Sequence, residues 1–251
     1  MCALPITAVI ITLNEASTIK RCINALSFCS EVIVVDSGSM DGTKSIAESM
    51  GAIVVTEPFR GYGRQKQFAC SLARNQWILS IDADEVVTDA LRTSILHEFE
   101  KGPRHKAYAV PRRFYFLGKR FAYGRGAIDH PVRLFHAESG GFTSDSVHER
   151  VSVRGSVGTL DGELDHYSYI TLEQYLEKFN TYTTLAAQQI VASGKHRSVA
   201  TTTALIPMAF FIHYVVRLNC LNGWQGLVWS VLSAVYPLVK VAKARSLRHD
   251  Q

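Results

Sequence analysis

The sequence predicts an α/β protein: a mostly parallel sheet with helices on both faces, continued by a C-terminal helical region. Three observations predict it. Four short runs of β-branched and large apolar residues alternate with helical patterns between Ile6 and Ile81, and that alternation calls for right-handed crossovers and parallel strands. Three of the runs end in polar or acidic residues, at Asn14-Glu15, Asp36 and Asp82-Ala-Asp84, as strands do where such a sheet opens to ligands. Beyond Ala200 the apolar residues thicken into two further runs.

Ile6–Leu13 reads as a buried first strand. Ser17 is placed to cap a helix to about Phe28, with Ile19, Cys22, Ile23 and Leu26 on one face. Glu31–Asp36 is the second strand, and the Gly/Ser turn Ser37–Thr43 leads to a helix that Gly51 ends. Ala52–Thr56 is the third strand, and a helix runs from Gly61-Tyr-Gly63 to Arg74. Trp77–Ile81 is the fourth strand. After Asp89 a helix runs to Glu100, Lys106–Phe116 reads as one strand, and Gly118–Gly126 as a loop. Val132–Phe135 and Val151–Val153 are strands on either side of the loop Asp145–Glu149. Thr171 and Gln174 fit a capping box. The helix they open should turn Leu172, Tyr175, Leu176, Phe179, Tyr182, Ala186 and Ile190 inward and close at Gly194, with Lys195–Thr203 as a linker.

The 251 residues carry a net charge of +5, which suits an anionic partner. The basic residues are scattered and no zinc-finger spacing occurs, so a nucleic acid partner is not expected. Five cysteines without Cys-x-x-Cys point to reduced thiols in the cytoplasm. The start lacks a basic region, so no signal peptide is expected.

Asp82 and Asp84 at a strand end can hold Mg²⁺ or Mn²⁺ bridging to phosphates, although Asp and Glu also suit the first turn of a helix. No Gly-x-Gly-x-x-Gly and no Gly-Lys-Ser/Thr phosphate loop is present, which removes dinucleotide and P-loop readings. Together the three strand ends describe a nucleoside-diphosphate pocket. Taken alone, Asn14 and Asp41 are turn or cap residues, Lys66 is a solvated helix residue, and His148 is structural. His166 and Tyr167 are read as anchors for the long helix.

In order and spacing, Thr12-Leu-Asn-Glu15, Val35-Asp-Ser-Gly-Ser-Met-Asp-Gly-Thr43 and Ile81-Asp-Ala-Asp-Glu85 resemble the family 2 glycosyltransferases of the GT-A fold. Arg64-Gln-Lys-Gln67 looks like that family's basic helix start. Pro131-Val-Arg-Leu-Phe135, Val147-His-Glu149, Asp165-His-Tyr167 and the apolar tail resemble the subgroup that adds glucose to the inner core of lipopolysaccharide. The resemblance implies a donor-binding half over 1–100, an acceptor-binding half over 101–167 and a membrane-associating helical region over 168–251. It implies a UDP-sugar donor, a divalent cation and inversion at the anomeric carbon. Thr12, Asn14, Glu15 and Asp36 would line the nucleoside, Lys66 would approach the diphosphate, Asp82 would sit at the ribose or sugar, and Asp84 would ligate the metal. Glu149 is the expected base, with Asp145 as the alternative.

Arg112, Arg113, Arg120, Arg125 and Arg133 would suit a lipid-linked anionic glycan acceptor. A polyprenyl-phosphate acceptor, or a non-catalytic protein that binds sugar nucleotides, are the competing readings. In the tail, Ala204–Val216 and Leu227–Val239 each fall short of the ~20 residues of a bilayer span. In the second run Gly226, Ser230, Ser233, Pro237 and Lys240 form one small or polar stripe. Lys240, Lys243, Arg245 and Arg248 then follow, placed to meet anionic head groups. The expectation is an in-plane anchor, peripheral on the cytoplasmic side of a bacterial inner membrane. The competing reading is a pair of buried helices.

Overall fold

A computed structural model describes residues 3–143, 150–194 and 198–249. In chain order the elements are β1 (Leu4–Thr12), α1 (Ile19–Asn24), β2 (Cys29–Asp36), α2 (Thr43–Ser49), β3 (Ile53–Thr56), α3 (Tyr62–Ser71), β4 (Trp77–Asp82), β5 (Glu85–Val87) and α4 (Asp89–Glu100). There follow β6 (Ala107–Ala109), β7 (Arg112–Phe116), β8 (Lys119–Arg120), β9 (Ile128–Asp129), β10 (Val132–His136), β11 (Gly140–Phe142), β12 (Val151–Val153), β13 (Val157–Thr159) and β14 (Leu164–Tyr169). The remaining helices are α5 (Leu172–Ala192), α6 (Val199–Ala204), α7 (Ile206–Phe211) and α8 (Gly223–His249). The chain divides into two compact units, Met1–Arg113 with Asp129–His166, and Phe114–Ile128 with Tyr167–Gln251.

The first unit is built on a seven-stranded sheet of order β13-β6-β10-β4-β1-β2-β3. β1 pairs in parallel with β2 and β4, and β2 with β3. β10 runs antiparallel between β4 and β6. Side chains alternate across a strand, and β1 uses both faces. Ile6, Ala8 and Ile10 join Leu79 and Ile81 under α1 and α4, through Ile19, Cys22, Leu91 and Ile95. Val9, Ile33, Val35, Ile78 and Phe135 gather on the other face with Ala69 and Cys70 of α3. Helices thus cover both faces of a mostly parallel sheet, as the alternating pattern predicts.

Two expectations in this unit change. Ser17 is exposed, and α1 begins only at Ile19, after Thr18. The single strand expected over Lys106–Phe116 is two, β6 and β7. Proline brings no N–H to a ladder, and Pro111 stands at the break, where its carbonyl accepts from Leu164 N while Val110 N donates to Pro131 O.

In the second unit, β7 and β8 pair through Tyr115–Arg120 and Phe116–Lys119, inside the stretch expected as loop. Phe116, Phe121, Ala127 and Tyr175 form its core, with Trp229 5.2 Å from the Phe116 ring and 5.9 Å from Tyr175. The capping box of α5 is present: Thr171 accepts from Gln174 N, and Gln174 reaches back to the backbone of Thr171. Its inward face differs from the expected one. Tyr175, Thr183 and Ala187 are buried, whereas Leu172, Leu176 and Tyr182 are exposed. α8 packs along α5, and Ala234 and Ala244 are buried on α8 as Thr183 and Ala187 are on α5. Small residues let helix axes approach closely, so they take the contact that size alone assigns to leucines.

The expected linker is shorter. Ser198 accepts from Thr201 N and caps α6, so the chain is helical from Val199. A π-helical turn, Ile212–Val216, and a 3-10 turn, Asn219–Asn222, connect α7 to α8. On α8 the small stripe faces inward at two of its members. Ser230 is fully buried, and a Cβ added at Gly226 would meet Asn219 O at 1.9 Å. Trp224, Leu227 and Val231 point outward.

Candidate active site

The strand ends of the first unit bring together most of the expected residues. Thr12 and Asp36 are register partners at the ends of β1 and β2. Asp36 is fully buried, and its Oδ2 accepts from Gly38 N at 2.9 Å and Ser39 N at 2.8 Å. Its Oδ1 and Thr12 Oγ1 are buried and lack a hydrogen-bond partner among the described residues. Buried polar atoms are seldom left so, and these two are where a ligand's polar edge would be received.

Asn14 and Glu15 serve the loop itself. Asn14 has φ 55, its N donates to Ser39 Oγ, and its Oδ1 accepts from Met40 N at 2.9 Å. Glu15 Oε2 accepts from Thr18 Oγ1, and Asp41 accepts from Ala16 N and Thr43 N. Asn14 and Asp41 therefore have the turn role that the plain reading of their types gives.

At the end of β4 the carboxylates meet cations. Asp82 Oδ1 lies 2.9 Å from Lys66 Nζ and Oδ2 2.8 Å from Arg133 Nη2. Burial pushes the Asp82 carboxyl up, but Lys66 and Arg133 reverse this and hold it well below the usual range. Glu85 is fully buried; it accepts from Arg112 Nη1 at 3.0 Å, from Arg133 and, through Oε2, from Asp82 N at 2.9 Å. Arg112 also grips Asp129 with Nε and Nη2, at 2.9 and 2.6 Å. Three cations thus face three carboxylates; Glu85 is fully buried and Asp129 exposed, and the covered pairs must be hydrogen-bonded to be tolerated.

This network corrects the acceptor reading of the arginines. Arg112 and Arg133 are engaged by Glu85, Asp82 and Asp129, and Arg113 is paired with Glu163 through Nε at 3.2 Å. Arg120 and Arg125 are exposed. Lys66, read alone as a solvated residue, is buried.

Asp84 has a different neighbour. Its Oδ2 is 3.4 Å from Nε2 of His166, which β14 sets opposite Glu85 of β5. Burial lowers the His166 pKa, but Asp84 outweighs this and raises it above the ordinary value. Among the described residues no three His, Cys, Asp or Glu side chains gather around a metal position. A closed cage is absent there, yet one carboxylate and one imidazole fit a cation that takes its other ligands from phosphate and water. Mn²⁺ suits the mixed oxygen and nitrogen pair. Sequence reasoning missed His166 as a partner of Asp84, although it singled out Asp165-His-Tyr167. Glu149 and Asp145 lie outside the described residues. Before them, Phe142 N donates to Gln67 Oε1 of α3, and the Phe142 ring centre is 5.7 Å from Lys66 Nζ.

Comparison with known proteins identifies the family. The model of the family described as Glycosyl transferase family 2 matches residues 7–151. The lipopolysaccharide core biosynthesis glycosyltransferase LpsC of Rhizobium meliloti (strain 1021) is 33% identical over 252 residues, covering 96% of this chain and 92% of its own. An uncharacterized glycosyltransferase of Rickettsia felis is 34% identical, covering 96% and 89%. Among solved structures, glucosyl-3-phosphoglycerate synthase from Mycobacterium tuberculosis with Mn²⁺, UDP and glucosyl-3-phosphoglycerate is 26% identical. It covers 43% of this chain and 44% of its own at a TM-score of 0.38, too partial a likeness to bear on donor or metal.

Proposed function

The chain belongs to glycosyl transferase family 2 and is an inverting glycosyltransferase, and on that footing we propose that it moves a hexose, glucose by preference, from a UDP-sugar to the lipid-linked core of lipopolysaccharide. The observation that carries the donor assignment is the pair of unpartnered oxygens, Thr12 Oγ1 and Asp36 Oδ1. A buried carboxylate oxygen with an open lone pair asks for an N–H donor, and the imide of uracil supplies one.

Asp84 and His166 would hold the divalent cation against the diphosphate. When bound, it draws off the negative charge that builds on the leaving group. Asp82, fixed by Lys66 and Arg133, would orient the ribose or the sugar. The acceptor hydroxyl oxygen attacks the anomeric carbon as the bond to the diphosphate breaks, and the electron pair leaves with UDP. The hydroxyl proton goes to Glu149, or to Asp145 in its place. The core acceptor rests on the likeness to LpsC, which extends over nearly all of both chains.

The test is direct. Protein with Mn²⁺ is incubated with a panel of nucleotide sugars and truncated lipopolysaccharide cores, and product masses are read. A single added hexose from a UDP-sugar is expected. Equal use of a purine nucleotide sugar, or full turnover in excess chelator, overturns the donor or the cation. In a binding titration Asp36→Ala should weaken UDP by tenfold or more. Glu149→Gln should lower turnover by about two orders of magnitude with donor affinity retained. If Asp145→Asn does so instead, the base is Asp145.

A further inference from the structure

The second unit presents its apolar residues outward. Between Ser198 and Val239 the only Asp, Glu, Lys or Arg is Arg217, whose Nη1 lies 3.3 Å from His213 Nδ1. No residue of Val199–Val216 is buried. Leu205, Met208, Ile212 and Val215 form an exposed stripe along one limb, and Trp224, Leu227 and Val231 form one along α8, with Trp224 61% exposed. α6, α7 and the π-helical turn all pack on α8, so the two stripes belong to one hairpin. Apart from Arg217, charge meets this hairpin only at its ends, not along the limbs between them. A bilayer asks for an uncharged surface of this kind.

By length and composition either limb could cross a membrane; 18 helical residues extend about 27 Å. The fastening of the hairpin rules that out. At its turn, Asn222 Oδ1 accepts from Ala122 N at 3.1 Å and Tyr123 N at 3.3 Å, while its Nδ2 donates to Tyr123 O at 2.9 Å. Lys119 and Arg125, both exposed, flank those residues. Toward the other end of α8, Lys243 Nζ donates to Asn180 O and to the hydroxyls of Thr183 and Thr184 on α5, a helix with exposed Glu173 and Glu177. A spanning hairpin would carry Lys119 and Arg125, or α5 with its glutamates, into hydrocarbon.

We propose that the hairpin 199–238 lies flat in one leaflet of the bilayer and that its turn, pinned to the 119–125 loop, sets Lys119 and Arg125 on anionic lipid head groups. Lys243, expected from the sequence to reach those head groups, is instead bound to α5. The interfacial position suits Trp224 and Tyr123, each with an apolar body and a polar tip. This assignment does not depend on which sugar the protein transfers.

The test uses the full-length protein mixed with preformed vesicles of phosphatidylcholine, with or without phosphatidylglycerol. The protein should float with both and at least tenfold more tightly with the anionic lipid. Met208→Lys with Leu227→Lys, at exposed positions and checked for an unchanged circular dichroism spectrum, should lose binding to both. Lys119→Gln with Arg125→Gln should lose only the anionic preference. Cys220, in the turn, reports the side. In a Cys2→Ser background, an impermeant maleimide outside the vesicles should label it equally before and after they are made leaky. Labelling only in leaky vesicles overturns the in-plane placement. A protein that stays off vesicles and forms a dimer abolished by the lysine pair identifies the face as a contact with a second copy, and also overturns it.

Discussion

The strand-end site and the C-terminal hairpin use the same residue types in opposite ways. In the first unit the large aliphatic side chains Ile10, Leu79 and Ile81 are buried, and charge is gathered at the strand ends. In the hairpin, Gly226, Ser230 and Ala234 are inside and Leu205, Met208 and Trp224 are outside. The difference teaches that burial is decided by the medium a surface meets as much as by side-chain chemistry. Against water, the large apolar groups go inward. On the face proposed to meet hydrocarbon, that drive is absent, and close packing of small residues decides the inner side.

The largest expected break of this contrast is in turnover. Asp84→Asn or His166→Ala should lower kcat by about a thousandfold, the few kcal/mol that a charge-stabilising group supplies, with the far-UV spectrum unchanged. Neither should alter flotation on vesicles, and a joint loss would show that the two regions are not separable. Next, Glu85→Leu leaves Arg112 and Arg133 facing each other without their shared carboxylate. A loss of about 3–5 kcal/mol in denaturant unfolding is expected for a broken buried pair.

The same substitution at two leucines sharpens the contrast most cleanly. Leu79→Ala, in the core, should cost about 2–5 kcal/mol. Leu227→Ala, on the hairpin, should change stability in water by less than about 0.5 kcal/mol and weaken vesicle binding instead. Comparable losses at both would remove the distinction.

The smallest effect is that of pH. His166 has a folded pKa raised above its ordinary 6.5 by Asp84. Its contribution to stability is therefore complete below the unfolded pKa and is lost as pH rises through the folded one. Without divalent cation the melting temperature should fall slightly across that window, and His166→Gln should flatten the slope. Cation binding should show the reverse trend, weakening as pH falls, since a ligating imidazole must be neutral.

The four parallel strands were legible because apolar runs, turn residues and terminal carboxylates repeat in register. The places of Asp36 and Asp84 at the ends of strands were legible for the same reason. His166 was not legible as a partner of Asp84, because that depends on β14 pairing with β5 across a long stretch of intervening chain. Arg133 was read as suited to an anionic acceptor because nothing near it in sequence shows that Asp82 and Glu85 would enclose it. The inner face of α5 was misjudged where leucine was taken to mean inside, because the small residues of α8 that pack against it select Thr183 and Ala187 for the contact.

Asn222 and the backbone of Ala122 meet across one hundred positions of sequence. During synthesis the 114–128 segment therefore leaves the ribosome long before the helix that covers it. Until Trp229 emerges, Phe114, Phe116 and Phe121 lack their main aromatic lid. Contacts so far apart close late and leave sticky intermediates. A nascent chain stalled before residue 223 would be a substrate for chaperones and proteases, while the parallel strands β1–β4, whose contacts are nearer in sequence, would already be folded.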